Sequence, residues 1–197
     1  MIAGGGVWVE SDFGSACLRD GVALAAGAVV DGLEAIRAAV AELPMERAGC
    51  RAVRAVLFDK TQETNWGLAW HQDRTLCVVQ RLDVEGFGPW SVKSGLSHVA
   101  PPFEVLAGMV TVRVHLDDVP VGNAPLLVAP GSHRLGRIAV GSIGEAVKGH
   151  GVQACLARAG DIWVSSTPIL HVSEAACVPG RRRMLQVDYA VGELPGG

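Results

Sequence analysis

His71 and Asp73 stand two positions apart in the stretch Asn65-Trp-Gly-Leu-Ala-Trp-His-Gln-Asp73. In an extended strand, side chains at i and i+2 share one face, so an imidazole and a carboxylate point into one space. Those are two corners of a metal site. His171, within the apolar run Ile169-Leu-His-Val172, is the candidate for a third, because an imidazole without a partner in such a strand is costly. Two histidines and one carboxylate on one face of a metal leave the opposite positions open, which is the facial arrangement of non-haem Fe(II) oxygenases. Trp66 and Trp70 flank the motif and can wall off a dry pocket, with Phe87 and Trp90 as further aromatic walls.

A lone H-x-D triplet is weak, since surface loops carry such triplets by chance. The plain alternative is a hydrogen-bonded pair, with His171 an unrelated core histidine. A basic cluster beyond His171 counts against it. Arg181, Arg182 and Arg183 open the apolar strand that runs to Tyr189, so alternation must turn at least one guanidinium inward. An inward arginine needs an anion, and its planar fork suits a carboxylate. Beside an open metal site, that is what a dicarboxylate co-substrate would require. Ser132-His133 is no hydrolase dyad, because no G-x-S-x-G elbow surrounds it.

The elements that must hold these residues are mostly strands. Alternating or β-rich runs cover Arg51 to Asp59, Leu76 to Gln80, Val110 to Leu116, Leu126 to Ala129, Val152 to Ala157, Asp161 to Ser165 and Met184 to Tyr189. Turn signals separate them, among them Pro101-Pro102, Gly122-Asn123, Pro130-Gly131 and Pro179-Gly180. Many short strands at this spacing predict a barrel or jelly roll rather than βαβ units. Short helices are expected at Glu104 to Ala107 and Ile143 to Lys148. Before them, Val22-Ala-Leu24 reads as a core strand, and Asp31 to Leu43 as an amphipathic helix outside the sheet, capped by Asp31 and closed by Pro44.

The 197 residues are expected to form one domain, with the β core at about residues 51–191 and the N-terminal strand and helix packed outside it. Hydrophobic residues make up 49% and charged residues 19%, a globular composition. A net charge of -3 argues against general binding to nucleic acid or anionic membranes. Five scattered cysteines, none in a C-x-x-C pair, read as reduced thiols. With no secretion signal and no apolar run long enough to span a bilayer, the expectation is a cytoplasmic monomer or homodimer acting on a small molecule.

Several motifs in order resemble the phytanoyl-CoA dioxygenase family of Fe(II)/2-oxoglutarate-dependent oxygenases. They are Phe58 to Trp66 with Trp70-His-Gln-Asp73, Trp90 to Pro102, His115-Leu-Asp-Asp118, Asn123-Ala-Pro-Leu126, Pro130 to Gly136, and His171-Val-Ser173 followed by Arg182 and Tyr189. The likeness spans about residues 51–195. It implies a double-stranded β-helix, a jelly roll of the cupin kind with a few flanking helices. It also implies iron held by His71, Asp73 and His171. Arg182, eleven positions beyond His171, matches the arginine that grips the far carboxylate of 2-oxoglutarate, and Ser173 a hydroxyl that assists it. Trp90 and Lys60 fall near positions that border the co-substrate, and Arg181 remains the rival of Arg182. The implied reaction is hydroxylation of a substrate C–H with O2, releasing succinate and CO2. Asn123-Ala124 departs from the usual Asn-Gly of the family, a change to a turn. Two rival readings use the same ligands: a cupin-like metal-binding module without turnover, and a Zn-dependent hydrolase or isomerase. Neither has a use for an inward arginine.

Overall fold

A computed structural model describes residues 22–25, 50–93, 95–192 and 194–195. Its elements, in chain order, are β1 (Val22–Ala25), β2 (Cys50–Lys60), β3 (Leu68–His71), β4 (Leu76–Val78), β5 (Trp90–Lys93), β6 (Leu96–Val99), α1 (Phe103–Ala107), β7 (Val110–His115), β8 (Leu126–Val128), α2 (Ile143–His150), β9 (Gln153–Cys155), β10 (Ile162–Ser166), β11 (His171–Ser173) and β12 (Arg182–Val191). The expected strands and both short helices are present, with ends shifted by a few residues. Two strands, β5 and β6, were not anticipated. The helix expected over Asp31 to Leu43 lies outside the described residues.

The strands form antiparallel sheets of five (β1-β10-β7-β12-β2), four (β3-β11-β8-β9) and three (β4-β6-β5) strands. The architecture is mainly β, a jelly roll with few helices. Among the described residues, no helix is long and apolar enough to cross a membrane.

Alternation divides the five-stranded sheet into two unlike faces. Val112, Val114, Ile162, Val164 and Tyr189 are buried together on one face, with Leu185 and Val187 packed against them. Burying such side chains contributes about 1.5–3 kcal/mol each. The partners at the intervening positions are polar and also buried: Thr111, Arg113 and His115 on β7, Ser165 on β10, Gln186 and Asp188 on β12. The apolar face thus carries much of the stability, and the polar face is left for chemistry.

Trp70 does not wall the pocket as expected. It neighbours His71 on β3, so it turns to the other face of its sheet, where it packs against Ala129, Ile138, Ile143 and Leu170 beside α2.

The Asn123-Ala124 turn shows what replacing glycine costs. Ala124 sits at φ 46°, in the left-handed region, where a Cβ is unfavourable by roughly 1 kcal/mol. Ala124→Gly is therefore expected to stabilise the protein by about 0.5–1 kcal/mol, read as a higher urea midpoint at unchanged slope. A lowered midpoint would show that the turn is relaxed with alanine.

Candidate active site

Strand pairing brings the three expected corners together. On adjacent antiparallel strands, His171 lies directly opposite His71, and their ring centroids are 4.3 Å apart. Asp73 lies just past the end of β3. Gln72, between the two, points the other way: its amide donates to the carbonyls of Gly136 and Pro168, and its oxygen accepts from the Ile138 N–H. With Gln72 pinned, His71 and Asp73 share the remaining side, and the donor atoms of His71, Asp73 and His171 all lie within 4.8 Å of one another.

The histidines are oriented as ligands should be. Nδ1 of His71 is 2.7 Å from the Ala69 carbonyl, and Nδ1 of His171 is 2.9 Å from the Ile169 carbonyl. A carbonyl only accepts, so Nδ1 must carry the proton and Nε2 keeps its lone pair for a metal. Burial pushes the His171 imidazole down to about 4, against the opposing pull of Asp73, so it is uncharged at neutral pH. Two imidazoles that present Nε2, together with a carboxylate, suit Fe(II). Ser132, in the Pro-Gly-Ser-His turn, steadies the approach to β11 by accepting the Leu170 N–H at 2.9 Å.

Beside this triad lies a pair of cations. Arg182 and Lys60 are partners in the register of β12 against β2. Lys60 is only 5% exposed, and its ammonium donates to the Trp66 carbonyl (2.7 Å), the Ser173 hydroxyl (3.0 Å) and the Glu174 carbonyl (3.3 Å). The Trp66 ring lies 3.8 Å from the same nitrogen. Arg182 donates to the Ala124 carbonyl and reaches Ser173 Oγ at 3.5 Å. Neither cation has a carboxylate partner among the described residues. Burial, and then the charge of Arg182, bring Lys60 down to about 8. Like charges facing each other across two strands are unfavourable unless an anion sits between them.

The flanking arginines are already committed. Arg181 faces outward and pairs with Asp59 at 3.0 Å. Arg183 grips Asp117 through both its guanidinium and its backbone N–H. Geometry therefore separates Arg182 from Arg181, which sequence left as rivals. Trp90 stands apart from the Lys60–Ser173–Arg182 cluster and lines a groove with Val53, Leu76 and Val99.

Sequence reasoning missed three buried groups on the inner face of the large sheet. Arg113 is 4% exposed, donates to Ser165 Oγ at 2.8 Å, and faces the charges of Asp73 and Asp188. Asp188 accepts from Thr111 and Gln186, and lies 3.4 Å from Arg54; burial raises its carboxyl above the usual range. His115 sits on a strand as expected, but its side chain is buried with Nδ1 unpartnered, and burial beside Arg182 and Arg113 pulls it down to about 4. A buried polar atom left without a partner, beside Arg182, which has no carboxylate partner among the described residues, fits a site that receives an oxygen-rich anion. The readable signal was the polar series Thr111, Arg113, His115, which alternates with Val112 and Val114.

The phytanoyl-CoA dioxygenase (PhyH) profile matches residues 34–184. The chain belongs to that family. No curated protein matches its sequence. Solved structures share its fold at low identity. The epimerase SnoN from nogalamycin biosynthesis aligns with TM-score 0.66 and 17% identity, covering 94% of this chain and 87% of that one. EctD from S. alaskensis aligns with TM-score 0.62 and 17% identity, over 94% and 77%. HygX from Streptomyces hygroscopicus, with nickel and 2-oxoglutarate bound, aligns with TM-score 0.56 and 15% identity, over 94% and 87%. Iron and 2-oxoglutarate, the cofactors expected from the resemblance, are present together in another SnoN structure.

The cation pair has a pH signature. A dicarboxylate such as succinate binds with Lys60 protonated, so affinity holds from about pH 7 to about pH 8 and falls as pH rises further and Lys60 loses that proton. Titration followed by tryptophan fluorescence is expected to show this fall, and Lys60→Arg to remove it. A wild-type affinity unchanged from about pH 7 to about pH 10 would refute a charged role for Lys60.

Proposed function

We propose that the protein is an Fe(II)- and 2-oxoglutarate-dependent oxygenase that hydroxylates a small organic molecule. The observation that carries this is the closeness of two unlike sites joined by β11, which bears both His171 and Ser173: a triad of two imidazoles and a carboxylate, and an inward cation pair with no acid partner among the described residues. His71, Asp73 and His171 would hold the metal by Nε2, Nε2 and a carboxylate oxygen. Arg182, Lys60 and Ser173 would grip the far carboxylate of 2-oxoglutarate, with Ala124 fixing the guanidinium from behind. When bound, iron and 2-oxoglutarate together supply the oxidising power that couples loss of CO2 to insertion of one oxygen atom into a C–H bond. The balance is substrate C–H, O2 and 2-oxoglutarate in, and C–OH, succinate and CO2 out.

The chain's own task is to bind, orient and exclude water. Gln72 and Asn65 do much of the orienting. The Asn65 amide donates to the Ala176 carbonyl at 2.9 Å, and its oxygen accepts the Ala176 N–H at 2.7 Å, so it clamps the segment after Ser173 as a backbone strand would. Arg113 gives the interior a fixed positive charge facing Asp73. A zinc hydrolase or a metal-storage module would use the triad but leave the cation pair without a purpose.

Anaerobic titration with Fe(II) and 2-oxoglutarate is expected to produce the visible charge-transfer band of the chelate. Arg182→Ala should weaken 2-oxoglutarate by roughly a hundredfold, about 3 kcal/mol. Arg181→Ala, which removes only an exposed ion pair, should change it by less than about threefold. A folded wild-type protein that gives no band would sink the assignment.

A further inference from the structure

Two cavities meet at an irregularity in β2. Its register against β12 shifts between Asp188 and Tyr189, so that Arg54 and Ala52 find partners while Val53 is the extra residue. A bulge of this kind re-aims the side chains around it. Val53, Leu76, Cys77 and Leu194 line both an inner cavity that reaches Asp73 and an outer groove of about 540 Å³. The inner cavity is small, about 20 Å³, and Asp73 lines it with Arg54, Thr167 and Asp188, so the shared residues bring the groove to within one layer of side chains of Asp73. The groove's volume falls in the range of about 300–1,000 Å³ that accommodates small organic ligands.

The lining of the groove is specific in character. Val78, Val99, Phe87 and Trp90, from or beside the three-stranded sheet, make an apolar and partly aromatic floor. Among the described residues, Arg51 is the one charged residue lining it, and no carboxylate lines it. No acid among the described residues pairs with Arg51. A second guanidinium, that of Arg81, stands 5.2 Å from the Trp90 ring centroid. Its neighbour Asp83, at 3.7 Å, is 92% exposed, and a pair so open to water neutralises little. An apolar floor under positive charge repels cations and leaves a neutral hydrocarbon with a guanidinium to desolvate.

We infer that this groove binds the molecule to be oxidised, and that this molecule is an organic anion with a flat apolar body. The body lies on Phe87, Trp90 and Val53; the anionic group meets Arg51; the opposite end rests against Cys77 and Leu194, which also line the cavity beside Asp73. The word oxidised rests on the oxygenase reading above, whereas the binding chemistry stands without it.

The 197-residue chain, free of iron and 2-oxoglutarate, is dialysed against naphthalene-2-carboxylate and against 2-naphthylmethylammonium, probes of similar size and opposite charge. The carboxylate is expected to bind at least about tenfold more tightly. Arg51→Glu, an exposed substitution checked by its thermal transition, is expected to abolish or reverse that order, and Arg51→Gln to reduce it. Equal binding of the two probes overturns the proposal, as does a carboxylate that fails to bind at about 1 mM. A carboxylate preference that survives Arg51→Glu also overturns it, and places the anion on Lys60 and Arg182 instead. Because metal and co-substrate are absent, none of these outcomes depends on the charge-transfer titration.

Discussion

The pairing of β11 with β3 is the constraint on which the rest depends. It sets His171 opposite His71, and the short irregularity that follows sets Ser173 against Leu68, within reach of Lys60. A slip of one residue in either strand would send every alternate side chain to the opposite face. The His71 imidazole would then change places with Trp70, and the triad would not exist. Gln72 guards against that slip with three hydrogen bonds to backbone groups that come from the loops before β11 and before α2. Its burial is thus as consequential for chemistry as that of the ligands.

The large sheet carries an inverted division of labour. Its hydrocarbon face supplies the burial that holds the fold, while the face turned to the site collects Lys60, Arg113, His115, Arg182 and Asp188. Taking charges out of water is unfavourable, and a pair of like charges doubly so. The chain tolerates this because carbonyls, hydroxyls and one indole ring surround the ammonium and guanidinium groups. What remains uncompensated is a demand for negative charge. A ligand that meets it gains affinity by neutralising buried positive charge.

Much of this was readable from residues alone, for a definite reason. Period-2 alternation marks strands, so β2, β7, β10 and β12 were legible, and the H-x-D spacing identified two groups on one side of a chain. The family resemblance ordered the remaining motifs. Three consecutive arginines were not separable, because alternation says that neighbours diverge but not which one turns in; Asp59 and Asp117, remote in sequence, decide that. Arg113, His115 and Asp188 were missed for a related reason. A strand with one polar and one apolar face is normally read with the apolar face towards the site, and here the reverse holds. Trp70 was assigned to the pocket by proximity in sequence, although residues adjacent in a strand face apart.

The three-stranded sheet has a separate consequence. Its strands neither carry the triad nor hold the cation pair, and they hydrogen-bond as a ladder to themselves alone. Side chains such as Val78 and Trp90 join the sheet to the rest by packing alone, against Leu106, Met109 and Ala190 of β12. The architecture thus divides the chain into a hydrogen-bonded frame that carries the triad and a side-chain-docked flap that carries the groove's floor.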